Sequence, residues 1–437
     1  MKRQKTKNLF TAISFVFLGF TVYSQNGNSA LTLDGRLLKD SCGETIILRG
    51  VNHGNIWATD IGIPEFSQIA QSKANCVRIC LERKYESWVG GNPVILDLRG
   101  GQIDTIITAA LDQKLIPIVE LHDFTDGSIE HSHIQTNLDS AVMFWTKPGV
   151  MAALKKHARF LILNLANEPE HWSDTEQDFY DACSSAITAI RTAGLKVPIM
   201  IDGMHWGQDH TFFINNGNGV NLLTGDPEHK LLFSVHTYWE TTSVTDAEMT
   251  TRFTNMYDSN LPFVIGEFAY DIGNTCTNTI NSHLIMDLCQ QNHFGYLYWW
   301  WGFYNATSNN CLSMTPTGTY AGLAGQGLEV AVSNSNSIQN TSVRPHLITD
   351  GSCLTGIDEN NTRFDFSVSP NPTSGTFTID LFYKPETVKL FDVLGNEIPL
   401  TKTDATSFSI TSPSPGIYMI LVSIGSGQQA IKKIVVQ

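Results

Sequence analysis

From about residue 31 to residue 301 the chain alternates short apolar runs, rich in Val, Ile and Leu, with longer stretches whose apolar positions recur every three or four residues. The short runs fall at 46–51, 75–81, 115–121, 160–166, 197–201, 231–235, 261–265 and 294–299. Each is hydrophobic almost throughout, as a strand covered on both faces must be. The intervening stretches, such as 103–112 and 174–193, read as amphipathic helices. Strand followed by helix, repeated eight times over about 270 residues, predicts an α/β domain built as a closed (β/α)8 TIM barrel. The segment 31–40 before the first run predicts a small hairpin closing the barrel floor.

The pattern changes twice after the barrel. Residues 331–362 are rich in Ser, Asn, Thr and Asp without periodicity, which predicts a linker. From 363 to 437, short runs alternate polar and apolar positions at 377–381, 388–392, 408–411, 416–422 and 430–435. Turn clusters at 370–375 and 413–416 separate them, so this tail predicts a small all-β sandwich. The expected organisation is therefore a leader at 1–25, a catalytic barrel at 26–330, a linker at 331–362 and a β-sandwich at 363–437.

The leader reading rests on Lys2, Arg3, Lys5 and Lys7, then an apolar run from Leu9 to Val22, then Ser24 before Gln25. That run has the length of a signal peptide core and is shorter than the ~20 residues that span a bilayer. The expectation is an exported protein with no transmembrane span in its mature form. The formal charge is −14, and loss of the four basic leader residues takes it to about −18. So acidic a chain lacks the basic patch that phosphate backbones require, so nucleic acid is not expected as a partner. Eight cysteines are too few and too irregularly spaced for a disulfide scaffold. Cys276 and Cys311 form the candidate bridge, whereas Cys76 and Cys80 share a parity within an apolar run and read as buried thiols.

In a barrel of this kind the site lies where the strands end, so the residues following each run carry the information. The first run ends in Asn52-His53 and the second carries Arg78; the third ends in His122-Asp123 and the fourth in Asn167-Glu168-Pro169. The fifth leads to His205-Trp206, the sixth to His236 and Tyr238, the seventh to Gly266-Glu267-Phe268, and the eighth to Trp299, Trp300 and Trp301. Two glutamates at opposed strand ends are what glycoside hydrolysis requires, one protonated and one ionised. Arg78 and Tyr238 are placed to hold Glu267 ionised, and Asn167 to hold a sugar 2-hydroxyl. Separation decides the stereochemistry: about 5 Å gives retention and about 6.5 to 9.5 Å inversion.

Each residue also has a plainer reading. Arg78 could be a structural ion-pair partner, His122 and His236 satisfied core histidines, and the tryptophans simple core. Strand alternation turns Trp300 away from its neighbours, which leaves Trp299 as the expected sugar platform and Trp301 on the same side. The His131-Ser132-His133 segment raises a metal site, but no carboxylate or cysteine stands at suitable spacing, so a solvated loop is favoured and neither metal nor cofactor is expected.

These motifs resemble glycoside hydrolase family 5 over roughly residues 30–305, through Leu48-Arg49-Gly50-Val51-Asn52, Val77-Arg78-Ile79, Leu163 to Pro169, His236-Thr237-Tyr238 and Ile265-Gly266-Glu267-Phe268. The resemblance implies a retaining endo-acting enzyme with Glu168 as acid/base and Glu267 as nucleophile. It places Arg78, His122, Asn167, His236, Tyr238 and Trp299 in the site. Within the family, Gly50 to His53, Glu120 to Asp123 and Trp206 to Asp209 look like bacterial β-mannanases. The Tyr298 to Gly302 segment and Cys80 depart from the usual mannanase pattern. The implied substrate is mannan or glucomannan, with cellulose or mixed β-glucan as the alternative and a non-catalytic glycan-binding surface protein as the reading from another class. The tail resembles a type IX secretion sorting domain through Ser369 to Thr373, Val388 to Gly395 and Gly416-Ile417-Tyr418. That implies export through the type IX machinery to the medium or the cell surface. A carbohydrate-binding module would want a row of exposed aromatics, which Phe382, Tyr383 and Tyr418 do not obviously supply.

Overall fold

The computed structural model describes residues 27–89, 92–125, 133–272, 276–302, 311–353, 366–381, 385–393, 395–404, 406–424 and 429–437. The expected leader and His131 lie outside the described residues.

A hairpin, β1 (Leu31–Asp34) and β2 (Leu37–Asp40), precedes the first barrel strand, β3 (Arg49–His53). β4 (Cys76–Leu81) is followed by a hairpin, β5 (Lys84–Val89) and β6 (Asn92–Asp97). The remaining barrel strands are β7 (Ile116–Leu121), β8 (Ile162–Asn164), β9 (Ile199–Asp202), β10 (Leu231–His236), β11 (Phe263–Phe268) and β12 (Gly295–Tyr298). All eight run parallel, and β12 pairs with β3 to close the barrel. Helices such as Gly100–Asp112, Glu176–Thr192, Asp246–Asp258 and Ser282–Asn292 return the chain between strands. Thr175 opens one of them with a capping box, its side chain accepting from the Asp178 N–H.

Period-two alternation sorts each strand into two cores. Val77, Ile79 and Leu81 of β4, Val119 and Leu121 of β7, and Phe233 and Val235 of β10 face the helical layer. The opposite parity faces the barrel axis and changes character with height. Near the floor it is apolar: Cys76, Ile116, Ile118, Ile162, Met200, Leu232, Val264 and Leu297 pack with Leu31 and Leu38 of the hairpin. The expected floor closure is thus present. One pleat higher, the same parity supplies Arg78, Glu120, Asn164, Asp202, Ser234 and His236, all buried. The barrel is apolar below and charged above, and the site is the charged end.

The tail forms two four-stranded antiparallel sheets. Phe377, Ile379, Phe408 and Ile410 from one pack against Leu390, Ile420, Val422 and Ile434 from the other, as the alternation predicts for a sandwich.

The expected linker needs correction. Val330, Ala331 and Ile338 are buried in the barrel's outer core, and Leu347 and Ile348 join the floor cluster. Thr341 accepts from Arg49 Nε, and the Arg344 guanidinium donates to the carbonyls of Ala70 and Ala74. A disulfide joins Cys353 to Cys42, a pairing the sequence did not suggest. The segment stays part of the barrel domain through Cys353, because its few apolar residues each find a pocket while its Ser, Asn and Thr side chains satisfy short helical turns. Residues 354–362 of the expected linker lie outside the described residues. The other bridge, Cys276–Cys311, is the one expected, and Cys76 and Cys80 are free and buried.

Candidate active site

Arg78, fully buried on β4, organises the charged end of the barrel. Its Nη1 donates to Glu267 Oε1 at 2.7 Å and to Asn52 Oδ1 at 3.0 Å. Its Nη2 donates to Asn167 Oδ1 at 2.7 Å and to Asp202 Oδ2 at 3.2 Å, and its Nε donates to Asn164 Oδ1 at 2.8 Å. Burial alone would lower the guanidinium, but Glu120, Asp202 and Glu267 around it hold it firmly protonated. A planar cation with five fixed donors suits this place, since it orients four strand ends at once.

Glu267 receives a second donor from Tyr238, whose hydroxyl lies 2.8 Å from Oε2. How Glu267 comes to face the axis is a matter of register. Ile265 and Phe268 both pack in the outer core, so simple alternation would not turn Glu267 inward. A shift between Val235 and His236 pairs His236 with Glu267 and re-aims that side chain. Gly266 makes the shift possible, because a Cβ there would stand 2.0 Å from Ser234 Oγ and 3.3 Å from His236 Nε2.

Glu168 follows β8 with φ of +43°, a strained backbone for a residue with a side chain. Its N–H donates to Asp202 Oδ2 at 3.3 Å, and its Oε1 lies 2.6 Å from His236 Nδ1. One ligand-type atom from each of Glu168, His236 and Glu267 lies within 4.8 Å of the others, so the two carboxyls share one cleft. Burial raises Glu168 above the usual carboxylate range, the charge of Glu267 adds to this, and His236 opposes it. For His236, burial pulls down, but Glu267 and Asp202 prevail and push it up to about 10. Asp202 is driven the other way: burial would raise it, and His236 with Arg78 holds it well below its usual value.

Residues 39–305 match the family described as Cellulase (glycosyl hydrolase family 5). The chain belongs to glycosyl hydrolase family 5. It is therefore an enzyme that hydrolyses O-glycosyl bonds, and its substrate is a polysaccharide. Residues 367–437 match the Secretion system C-terminal sorting domain, which makes this family 5 hydrolase a secreted protein. A mannan endo-1,4-beta-mannosidase of Cellvibrio japonicus (strain Ueda107) is 29% identical over 325 residues, 74% of this chain and 71% of its own. One of Salipaludibacillus agaradhaerens is 27% identical over 326 residues, 73% of this chain and 96% of its own. The mannotriose complex of Thermomonospora fusca beta-mannanase shares the fold, with a TM-score of 0.62 at 24% identity, covering 74% of this chain and 100% of its own.

The structure sorts the other expected site residues of this family 5 hydrolase. Asn52 is enclosed and bonded to Arg78 and to the Gly266 carbonyl, which makes it a support. Asn167 lies between Arg78 and Thr125 Oγ1. His122 reaches the cleft, its Nδ1 2.8 Å from Glu120 and its ring stacked on the half-buried Trp299 at 5.1 Å. Trp206 is 46% exposed, and the backbone of the following Gly207 lies against the His236 ring. Two expectations fail. His53 shares the outward parity of Val51 and is fully buried beside Glu65 and Phe66, away from the cleft. Trp301 is buried in the outer core with its Nε1 donating to the Gly318 carbonyl, so it has no face for a sugar. The regular strand ends at Tyr298, so alternation does not set the direction of Trp301.

Asp202, Glu120 and Trp57 escaped the sequence reading as site residues. Asp202 ends its strand and was legible by the same strand-end rule. Trp57 sits edge-on to His122 at 5.2 Å and donates to Glu82 at 2.7 Å; it ends a short 3-10 turn, Asn55–Trp57, with no pattern to single it out.

Proposed function

We propose that this hydrolase is an endo-acting β-1,4-mannanase that works with retention, using Glu267 as nucleophile and Glu168 as acid/base. The observation that carries the reading is the pair of carboxyls in one cleft, with oxygens within 4.8 Å, in opposite environments. A separation near 5 Å leaves no room for a water between carboxylate and sugar, which favours direct attack.

Glu267, with Arg78 and Tyr238 donating to it, is the carboxylate that attacks the anomeric carbon. Glu168 carries the proton to the glycosidic oxygen as the C–O bond breaks. Once the glycosyl-enzyme forms, the negative charge of Glu267 is gone, and His236 at 2.6 Å meets the new charge on Glu168. Glu168 then takes a proton from water, whose oxygen displaces Glu267 and leaves the anomeric configuration retained. Asn167 holds the 2-hydroxyl, and Trp299, His122 and Trp206 form the rim along which the chain lies.

Mannan is favoured over cellulose or mixed β-glucan by the likeness to mannan endo-1,4-beta-mannosidases and by the motifs around Asn52, His122 and Trp206. We further infer that the tail engages type IX secretion machinery. No helix among the described residues is long and apolar enough to cross a membrane.

Glu267→Ala should abolish reducing-sugar release from mannan. Glu168→Ala should lose about 10²- to 10⁴-fold on mannan but far less on aryl mannosides whose leaving group needs no proton. Because Glu168 is raised, wild-type activity should persist above the ordinary carboxylic range and fall as pH rises through its pKa. An E267A variant with unchanged mannan hydrolysis would remove the assignment.

A further inference from the structure

Cys80 stands two residues beyond Arg78 on β4, at the same inward parity. Beside it are Glu120, on neighbouring β7, and His122, just past the end of that strand. One ligand-type atom from each of the three lies within 4.8 Å of the others. Glu120 is fully buried; its Oε1 meets His122 Nδ1, the Cys80 thiol interacts with the same carboxyl, and its Oε2 meets no hydrogen-bond partner of good geometry among the described residues. A buried carboxylate oxygen in that state is costly, and a bound cation would relieve it. His122 is the member that reaches solvent, with 13% of its side chain exposed, and so provides the way in from the cleft.

Thiolate, carboxylate and imidazole are the three donor kinds that zinc accepts. We propose that Cys80, Glu120 and His122 form an inhibitory binding site for zinc and for thiophilic divalent cations of similar demand. The cation replaces the Cys80 thiol proton, which leaves to solvent as the Sγ–metal bond forms; Glu120 and neutral His122 complete the protein's share. No electron is transferred.

Binding reaches the active site through two contacts. Glu120 now lies 3.7 Å from Arg78 Nη1 and 2.8 Å from His122 Nδ1. Engaging the metal draws Glu120 away from Arg78 and turns the His122 ring, which stacks on Trp299. Loss of turnover on this account rests on the hydrolase mechanism proposed above, whereas binding of the cation does not. The other cluster, Glu168 with His236 and Glu267, offers no sulfur, and so the two sites differ spectroscopically.

The test uses the full chain titrated with cadmium and zinc, with magnesium as control. One equivalent of cadmium should raise a thiolate-to-metal absorption in the ultraviolet, and zinc should displace it. Zinc, and not magnesium, should suppress mannan hydrolysis, and a chelator should restore it. Cys80→Ser and Cys80→Ala should each lose the absorption and need about tenfold or more zinc for half-inhibition. Cys289→Ser, at another buried thiol, should change neither. An absorption that survives in both Cys80 variants, or none at one equivalent in the wild type, would overturn the site. Absorption lost in the variants with zinc inhibition unchanged would refute its inhibitory role. If the wild type proves inactive on every glycan, the cadmium absorption still decides whether the cation binds.

Discussion

Asp202 touches four partners of the site yet has no place for a sugar. It accepts from Arg78 and from the Glu168 N–H, lies 3.5 Å from His236 Nε2, and accepts from Asn164 Nδ2 at 3.2 Å. Removing one member of such a buried ionic group costs about 3–5 kcal/mol. Asp202→Asn should therefore lower the melting temperature. As a positioning residue it should also bring the His236 imidazolium down from about 10, measured by NMR titration, because a principal anion beside it is gone. Glu170 gives a second pH effect. Burial raises its carboxyl to about 8, against 4.5 for an ordinary glutamate, although the Trp206 amide donates to it. A raised folded-state pKa means that its contribution to stability is full below 4.5 and is lost as pH climbs through about 8. Glu170→Gln should flatten the fall in melting temperature over that window. An unchanged slope would assign the effect elsewhere. At this scale the strand-end rule found Glu168, Glu267, Arg78 and His236 in the sequence, but it did not tell a residue facing the cleft from one that only supports it.

The strand is the element that decides orientation, and β11 shows how little suffices. Gly266 is needed because its missing side chain leaves room for Ser234 and His236. Gly266→Ala should force the two strands apart, cost about 1–3 kcal/mol as an overpacked core position, and lower kcat more than KM as Glu267 tilts from Arg78. Equal loss in a distant core Gly→Ala variant of matched stability would show that position 266 has no special part. In the structure, alternation along the strands puts Arg78, Glu120 and Asp202 on the inward parity. The strand-end rule failed at His53 and alternation at Trp301, for different reasons. His53 extends the outward face of β3, where Val51 already points, whereas Trp301 lies beyond the regular part of β12.

For the whole molecule, the closed barrel leaves two seams, the floor and the segment that follows β12. The Cys42–Cys353 bridge ties them across 311 residues of sequence. Closing so long a loop restricts the unfolded chain, and loss of such a bridge typically costs about 2–5 kcal/mol. Cys42→Ser should lower the melting temperature while leaving mannan hydrolysis at moderate temperature intact, and a reductant, which also opens Cys276–Cys311, should lower the wild type at least as far. A variant with wild-type stability would mean that the packing of Ile338, Leu347 and Ile348 alone holds the segment.

The sequence by itself determined the barrel and the sandwich, and it put two glutamates at the ends of the fourth and seventh barrel strands. Apolar runs at strand length and the polar residues that end them are local features, legible without any knowledge of neighbours. Tertiary structure alone decided that residues 331–353 belong to the barrel, that Cys42 meets Cys353, and that Asp202 and Glu120 complete the charged end. These depend on which strand lies beside which and on a one-residue register shift. A closed sheet brings residues far apart in the chain within a few ångströms, and no local pattern records that distance.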